Sequence, residues 1–591
     1  MSFNIRSCAG LLLVLCAAVT NVFPQKSLTN YTAALPATDA LGRKLPTFSE
    51  VGKEKSDKFV GMFYWTWHYA QAKLKPNNTT AFLQKHPDAL YDFKHPEWPQ
   101  NIMNFWNEPL FGYYINMDKW VLWKHAEMLA DAGVDMIMFD CTNGDLVWKP
   151  AYMALCEVFS EARKNGIRTP QIAFMMGFGA SKDTKSAIDQ VYNDLYKPGL
   201  YKDLWFQWKG KPLIMAYPDN IDPEIKDFFT FRPGQPVYNK GPERKDHWGW
   251  LEIYPQHGFV KNNDGSFEQM TVGTSQNWTK KNGLNPMNAK GAFGRSYTDK
   301  NGQDTSTDAH QYGLNFQEQW DRALKQNVEL VFVTGWNEWI AGRYEKWQDQ
   351  PNAFPDQFDT EHSRDIEPMK GGHQDNYYYQ LIANIRRFKG MPAPEKPSAA
   401  KTIGIDGKFD EWINVKPEFI AHKGNTIHRD ADGFAGTHYT NTTGRNDIVK
   451  TKVARDNRYV YFYVETANKL TDPTDPAWMR LFIDIDKDKK TGWEGYDFIV
   501  NRKTPGRKAF LEKSVRGWNW KQVEEVDYKF VGNQLEIRIP RAFLALKNKL
   551  NFEFKWSDNM QTDGDIIDFL INGDVAPSGR FNYPYKETQS K

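Results

Sequence analysis

The sequence predicts an α/β region folded as a (β/α)8 barrel of the TIM type, followed by an all-β antiparallel sandwich. Three observations predict it. Strand-like apolar runs alternate with amphipathic helical runs from Phe59 to Phe388; the pattern changes after a proline-rich segment; and 591 residues exceed one ordinary domain. The strand candidates of the barrel are 59–65, 134–140, 172–176, 212–216, 249–254, 269–272 and 330–334, and 236–238 is the candidate for an eighth. Helical spacing fills 117–132, with Trp120, Val121, Ala126, Leu129 and Ala132 on one face and Gly133 as its stop. Residues 182–195, 317–325 and 376–388 read the same way. An open doubly wound sheet is the alternative, but no glycine-rich dinucleotide fingerprint follows the first strand. The segment GMPAPEKPSAAK, with three prolines, ends this region. Beyond it, 449–454, 459–465, 480–486, 495–501, 534–539 and 551–556 are short strands separated by turn residues, the spacing of a sandwich. The expected division is a signal peptide at 1–25, a barrel at 45–390, a linker at 391–401 and a β-domain at 402–588.

Composition narrows the function. Arg6 and the apolar run LLLVLCAAV form a secretory signal too short to span a membrane, and no later segment is long and apolar enough to do so. Leu15 stands before Cys16 where a lipoprotein signal has a small residue, so the expectation is export to the periplasm or beyond, without an anchor. Behind the signal only Cys141 and Cys156 remain, which excludes a disulfide scaffold. A net charge of +2 offers nucleic acid or a membrane surface no field to follow. The 22 tryptophans serve either large aromatic cores or platforms on which sugar rings stack. The expected partner is a polysaccharide or glycan, and the expected state a monomer.

The most informative segment is VFVTGWNEW. Its apolar run is a buried strand, and Glu338 follows it among Trp336, Asn337 and Trp339, where desolvation would raise a carboxyl toward the range of proton transfer. Reactive groups of such barrels sit at the C-terminal ends of strands. Asp140, ending VDMIMFD, and Glu252, in WGWLEIYPQ, meet that condition, and glycosidic hydrolysis usually needs two carboxyl groups. Asp140 could equally be a helix N-cap, and Glu252 could be a surface residue of an edge strand. Tyr64, Trp65, Trp67 and His68 follow the first strand, Tyr254 and His257 follow Glu252, and Arg295 could bind a sugar hydroxyl, carboxylate or sulfate. Trp336, Asn337 and Trp339 join them as substrate-binding candidates. No HExxH, CxxC, GxSxG or P-loop pattern occurs in the barrel, so no cofactor is expected for catalysis. In the β-region Asp484, Asp486 and Asp488, with Asp497 nearby, offer oxygen ligands for a structural Ca²⁺; the alternative is an acidic turn balanced by Lys487, Lys489 and Lys490. Trp493, Trp518, Trp520 and Trp556 are candidates for stacking a ligand.

GWNEWIAG, Ile366-Glu367-Pro368 and DNYYYQL together resemble the glycoside hydrolase 71/99-like barrels, most of all family 99, the endo-α-mannosidases, and the related WbsX-like proteins. In family 99 the motif reads NEWxEG and both glutamates are catalytic. The first matches Glu338; the second falls on Ala341, which cannot transfer a proton. The resemblance therefore implies a barrel acting on glycans without implying that family's mechanism. The insertion 343–365, which precedes Ile366, could bring Glu345 or Asp365 to the site. IDGKFDEW, RYVYFYVE and FIDIDKDKKTGWEG are similar to family 9 carbohydrate-binding modules, β-sandwiches that often hold calcium. The expected function is an exported glycoside hydrolase; the alternative is a non-catalytic glycan-binding protein on a decayed barrel.

Overall fold

The structure, a computed structural model, describes residues 28, 30–69, 75–99, 103–546 and 549–587. The signal at 1–25 lies outside the described residues. Among the described residues, eight strands form the barrel: β1 (Phe59–Tyr64), β2 (Met136–Cys141), β3 (Gln171–Met176), β4 (Lys211–Met215), β5 in two pieces (Thr230–Phe231 and Gly234–Gln235), β6 (Trp248–Gly249), β7 (Phe267–Gly273) and β8 (Val328–Thr334). All neighbouring pairs with ladder bonds are parallel, and β8 pairs with β1, so the ring returns to its start. Between β6 and β7 the Gln269 side chain replaces a ladder: its Oε1 accepts the Gly249 N–H at 3.0 Å and its Nε2 donates to the Gly249 carbonyl at 2.8 Å. β2 reads MIMFDC and is buried at every position, as a parallel strand covered on both faces must be.

The period of two sorts side chains between two cores. Phe63, Trp65, Met136, Met138, Met175 and Phe332 fill the barrel interior, while Val60, Tyr64, Ile137, Phe139, Phe174 and Val331 face the helices. The strands expected at 236–238 and 249–254 differ from those observed. The fifth strand lies at 230–235, where Pro233 interrupts it, and β6 ends at Gly249, three residues before Glu252. Among the helices, α1 (Lys119–Ala132) starts on the Asp118 carboxylate, which accepts the Trp120 and Val121 N–H groups, and stops at Gly133 with φ 80°. The sequence reading left out α2 (Lys149–Lys164), which follows β2.

Among the described residues, eleven strands after the linker form one antiparallel sheet rather than the two separate sheets of a sandwich. The strand Asn519–Val531 joins the halves: Val526 pairs back to Ala509, and Asp527 pairs forward to Arg538. The halves meet face to face, with the Phe462 and Phe554 rings 5.5 Å apart. This sheet and its loops also cover α1. Arg429 pairs with Asp118 at 2.7 Å, His422 with Asp131 at 2.8 Å, and Arg580 with Asp375, ahead of the last barrel helix α3 (Asn376–Lys389), at 2.6 Å. Twelve residues of α1 are buried, charged ones among them. Among the described residues no helix is long and apolar enough to cross a membrane.

Candidate functional site

An open cleft of about 260 Å³ lies at the C-terminal ends of the barrel strands. Trp65, Trp67, Phe178, Trp250 and Tyr344 supply its aromatic faces, and Asp140, Glu338, Asp356 and Arg364 its charges. Asp140 is the inward residue after Met136 and Met138 on β2, which is why it reaches the cleft floor. Burial pushes its carboxyl up to about 7, against a hydrogen bond from the Thr142 N–H at 3.2 Å. Its Oδ1 thus closes the turn after the strand while the side chain lines the cleft, and the helix that follows is capped by Trp148, not by Asp140. Glu338 Oε2 accepts from Gln357 Nε2 at 3.0 Å and from Arg364 Nη2 at 3.1 Å. Burial pushes Glu338 up to about 8; Arg364 limits the rise, and Asp356, Asp365 and Asp140 add to it.

Of VFVTGWNEW only Glu338 faces the cleft. Trp336 is fully buried against His125 and Tyr378, and Trp339 stacks on Trp106 at 4.4 Å with its Nε1 on Glu367. Both tryptophans are core, not sugar platforms. Asn337 is a positioning residue: its Oδ1 accepts the Trp65 N–H at 2.8 Å and its Nδ2 donates to the Trp65 carbonyl at 3.2 Å. Gly335 has φ 114°, and a Cβ there would meet the Arg364 carbonyl oxygen at 2.3 Å, so only glycine lets the segment carrying Arg364 close onto Glu338.

Other sequence candidates lie elsewhere. Tyr64 points away from Trp65 into the helix layer, where its hydroxyl meets His125 Nδ1 at 2.8 Å. His68 is buried between Phe105 and Tyr114, and burial with the charge of His125 pushes it down to about 3. Arg295 is buried over Tyr377, with Nη2 on the Asp365 carbonyl at 2.6 Å; it braces the 363–365 segment and does not line the cleft. Glu252 is not a surface residue, nor does it join Asp140 and Glu338: His257 Nδ1 and N–H hold it at 2.8 and 3.0 Å, outside the cleft lining. Burial still pushes Glu252 up to about 7. Tyr254 is half-buried in the same turn, also off the cleft. Asp365 sits behind Glu338, accepting its N–H at 2.5 Å and Trp106 Nε1 at 2.9 Å, while Glu345 is exposed beside Lys94. Ala341 lies in a ribbon, Ile340–Gly342 against Met103–Phe105. Ile340 and Gly342 line the cleft, whereas Ala341 faces the core.

No family model and no curated protein matches the chain. Among solved structures the chain is similar to the GH99 endo-α-mannosidase of Bacteroides thetaiotaomicron in complex with bis-tris-propane. Identity is 16% over 56% of this chain and 98% of that one, with a TM-score of 0.33. A second structure of that endo-α-mannosidase gives 12% identity over the same shares and a TM-score of 0.32. The chain is also similar to a family 9 carbohydrate-binding module of Caldicellulosiruptor kristjanssonii in complex with glucose: 13% identity over 33% of this chain and 95% of that one, TM-score 0.17. These neighbours are of the two kinds whose motifs the sequence resembles.

In the β-region, Asp484, Asp486 and Asp497 bring one carboxylate oxygen each within 4.8 Å of one another, a donor set suited to a hard cation. Asp488, expected among them, turns instead to the Lys490 N–H at 3.0 Å, and Asp497 takes its place. Trp493 and Trp556 are buried; Trp518 and Trp520 are half-buried, packed edge-on at 5.6 Å. Sequence reasoning missed Trp250, Phe178, Tyr344, Asp356 and Arg364. Trp250 had a signal, as the first residue after β6, and the Thr334 hydroxyl donates to its carbonyl. Phe178, Asp356 and Arg364 sit in loops, and Tyr344 opens the short hairpin strand Tyr344–Trp347, none of them with a periodic pattern.

Proposed function

We propose that this chain is a glycoside hydrolase that cleaves a polysaccharide or glycan in the barrel cleft. The observation that carries this reading is the pairing, in one aromatic-walled cleft, of Glu338 and Asp140, two buried carboxyl groups pushed up toward neutral pH. Trp65, Trp67 and Trp250 would hold the sugar faces, Glu338 would move the proton at the glycosidic oxygen, and Asp140 would hold a sugar hydroxyl at the cleft floor. Export through the N-terminal segment would bring the enzyme to glycans outside the cytoplasm. The test is to incubate purified protein with plant, fungal and host polysaccharides and count released reducing ends. Glu338→Gln should lower release by about 10²- to 10⁴-fold with an unchanged melting temperature. Full activity in that variant removes Glu338 from the chemistry.

A second reading is a non-catalytic glycan-binding protein. The observation favouring it is that Gln357 and Arg364 both occupy Glu338 Oε2. Binding of a glycan without any release of reducing ends would decide for it.

A further inference from the structure

We propose that Asp356, carried into the cleft by the 343–365 insertion, works opposite Glu338 and attacks the anomeric carbon of the sugar whose leaving group Glu338 protonates. The proposal rests on the hydrolase reading and deepens it. Asp356 lines the same cleft as Glu338, but its side chain is 54% exposed where that of Glu338 is 5% exposed. One guanidinium nitrogen, Arg364 Nη2, lies 3.1 Å from Glu338 Oε2 and 3.6 Å from Asp356 Oδ1. Two oxygens around one nitrogen cannot be further apart than the sum of those distances. That bound falls at the lower edge of the roughly 6.5–9.5 Å of inverting pairs and leaves the roughly 5–5.5 Å of retaining pairs within reach.

The neighbouring residue fixes this arrangement. Gln357 donates to Glu338 Oε2 at 3.0 Å and accepts the Arg364 N–H at 2.9 Å, so the backbone next to Asp356 is tied to the residue it would oppose. Environment then separates the two roles. Burial keeps the proton on Glu338, while the Asp356 side chain stands open to the cleft at 3.6 Å from the guanidinium. Asp140 is the weaker candidate for attack, because it is 2% exposed and its Oδ1 is spent on the Thr142 N–H. Ala341 cannot serve, and its side chain faces the core. The insertion thus supplies from another segment the second carboxylate that the 338–341 motif lacks.

The chemistry closes in two steps. An Asp356 oxygen bonds to the anomeric carbon while the bond to the leaving oxygen breaks, and Glu338 gives that oxygen its proton. A glycosyl ester and a free alcohol result. Water then attacks the anomeric carbon and passes a proton to Glu338, and the ester electron pair returns to Asp356.

The test uses the full chain and the polysaccharide panel, with wild type, Asp356→Ala, Asp356→Asn and Asp140→Ala, each with and without sodium azide. Both Asp356 variants should melt as wild type and lose turnover by about 10³-fold or more. Azide should restore cleavage in Asp356→Ala, with a glycosyl azide detected by mass spectrometry. Near wild-type activity in both Asp356 variants, or a glycosyl azide formed by Asp140→Ala instead, overturns the assignment. A wild type that cleaves nothing in the panel overturns the hydrolase reading itself, and this inference with it.

Discussion

Arg364 sets the working state of the cleft. Burial works against its charge, and Glu338 and Asp356 hold it in place. For Glu338 the sign is opposite: burial raises the carboxyl and Arg364 limits the rise. On the proposed hydrolase reading, Glu338 can donate its proton below about pH 8 and loses that capacity as pH rises through that value. Arg364→Gln removes the restraint, so the alkaline limb of the activity profile should move upward while maximal turnover falls. An unmoved limb would mean that another group governs it. Glu338 was legible in the sequence because a carboxylate after a buried strand and among tryptophans has few structural explanations. Its neighbours misled for the same reason. Trp336 and Trp339 look like platforms in one dimension, but the turn after β8 directs them into the core.

At the scale of elements, the segment after β8 is a hub. The Trp336 N–H bonds the Phe63 carbonyl, the Trp336 carbonyl accepts from Ile366 and Glu367, and Asn337 holds Trp65. Glu367, the glutamate of the Ile-Glu-Pro motif, closes the hub from below. It accepts the Tyr114 hydroxyl at 2.8 Å and Trp339 Nε1 at 2.5 Å, and it meets His125 Nε2 at 2.8 Å, fully buried. Glu367→Ala strands three buried polar groups at once and should cost about 3–5 kcal/mol, read as a lower urea midpoint. A loss below about 1 kcal/mol would mean that the network is dispensable. The strands of the barrel were legible because their apolar runs are continuous. The fifth and sixth were misplaced because each has only two-residue pieces, too short for a period to emerge. The hairpin Ala509–Arg516 and Asn519–Val531 was missed because its exposed, charged residues give no clean alternation.

At the scale of the whole molecule, the β-region is built into the barrel rather than hung from it. Its Arg429, His422 and Arg580 neutralise Asp118, Asp131 and Asp375, three acids that α1 and α3 would otherwise bury alone or expose. His422 gives this contact a pH dependence. Burial opposes its charge, but Asp131, with Glu127 and Asp574 around it, raises His422 to about 9. Its folded value lies above its ordinary one, so its stabilisation is fully present below about pH 6.5 and is lost as pH rises through about 9. His422→Asn should melt lower than wild type at pH 6, and the difference should close by about pH 10; a constant difference would assign His422 a packing role alone. The sequence by itself determined what depends on neighbours along the chain: an α/β barrel region followed by an antiparallel β-region, divided by a proline-rich segment, and Glu338 at a strand end, because periodicity and turn chemistry are local. Only the tertiary structure decided which carboxylates share the cleft with Glu338, that Arg364 and Asp356 of the 343–365 segment line it, and that the β-region covers α1. Those outcomes are set by contacts between residues distant in sequence, whose direction and burial no local pattern encodes.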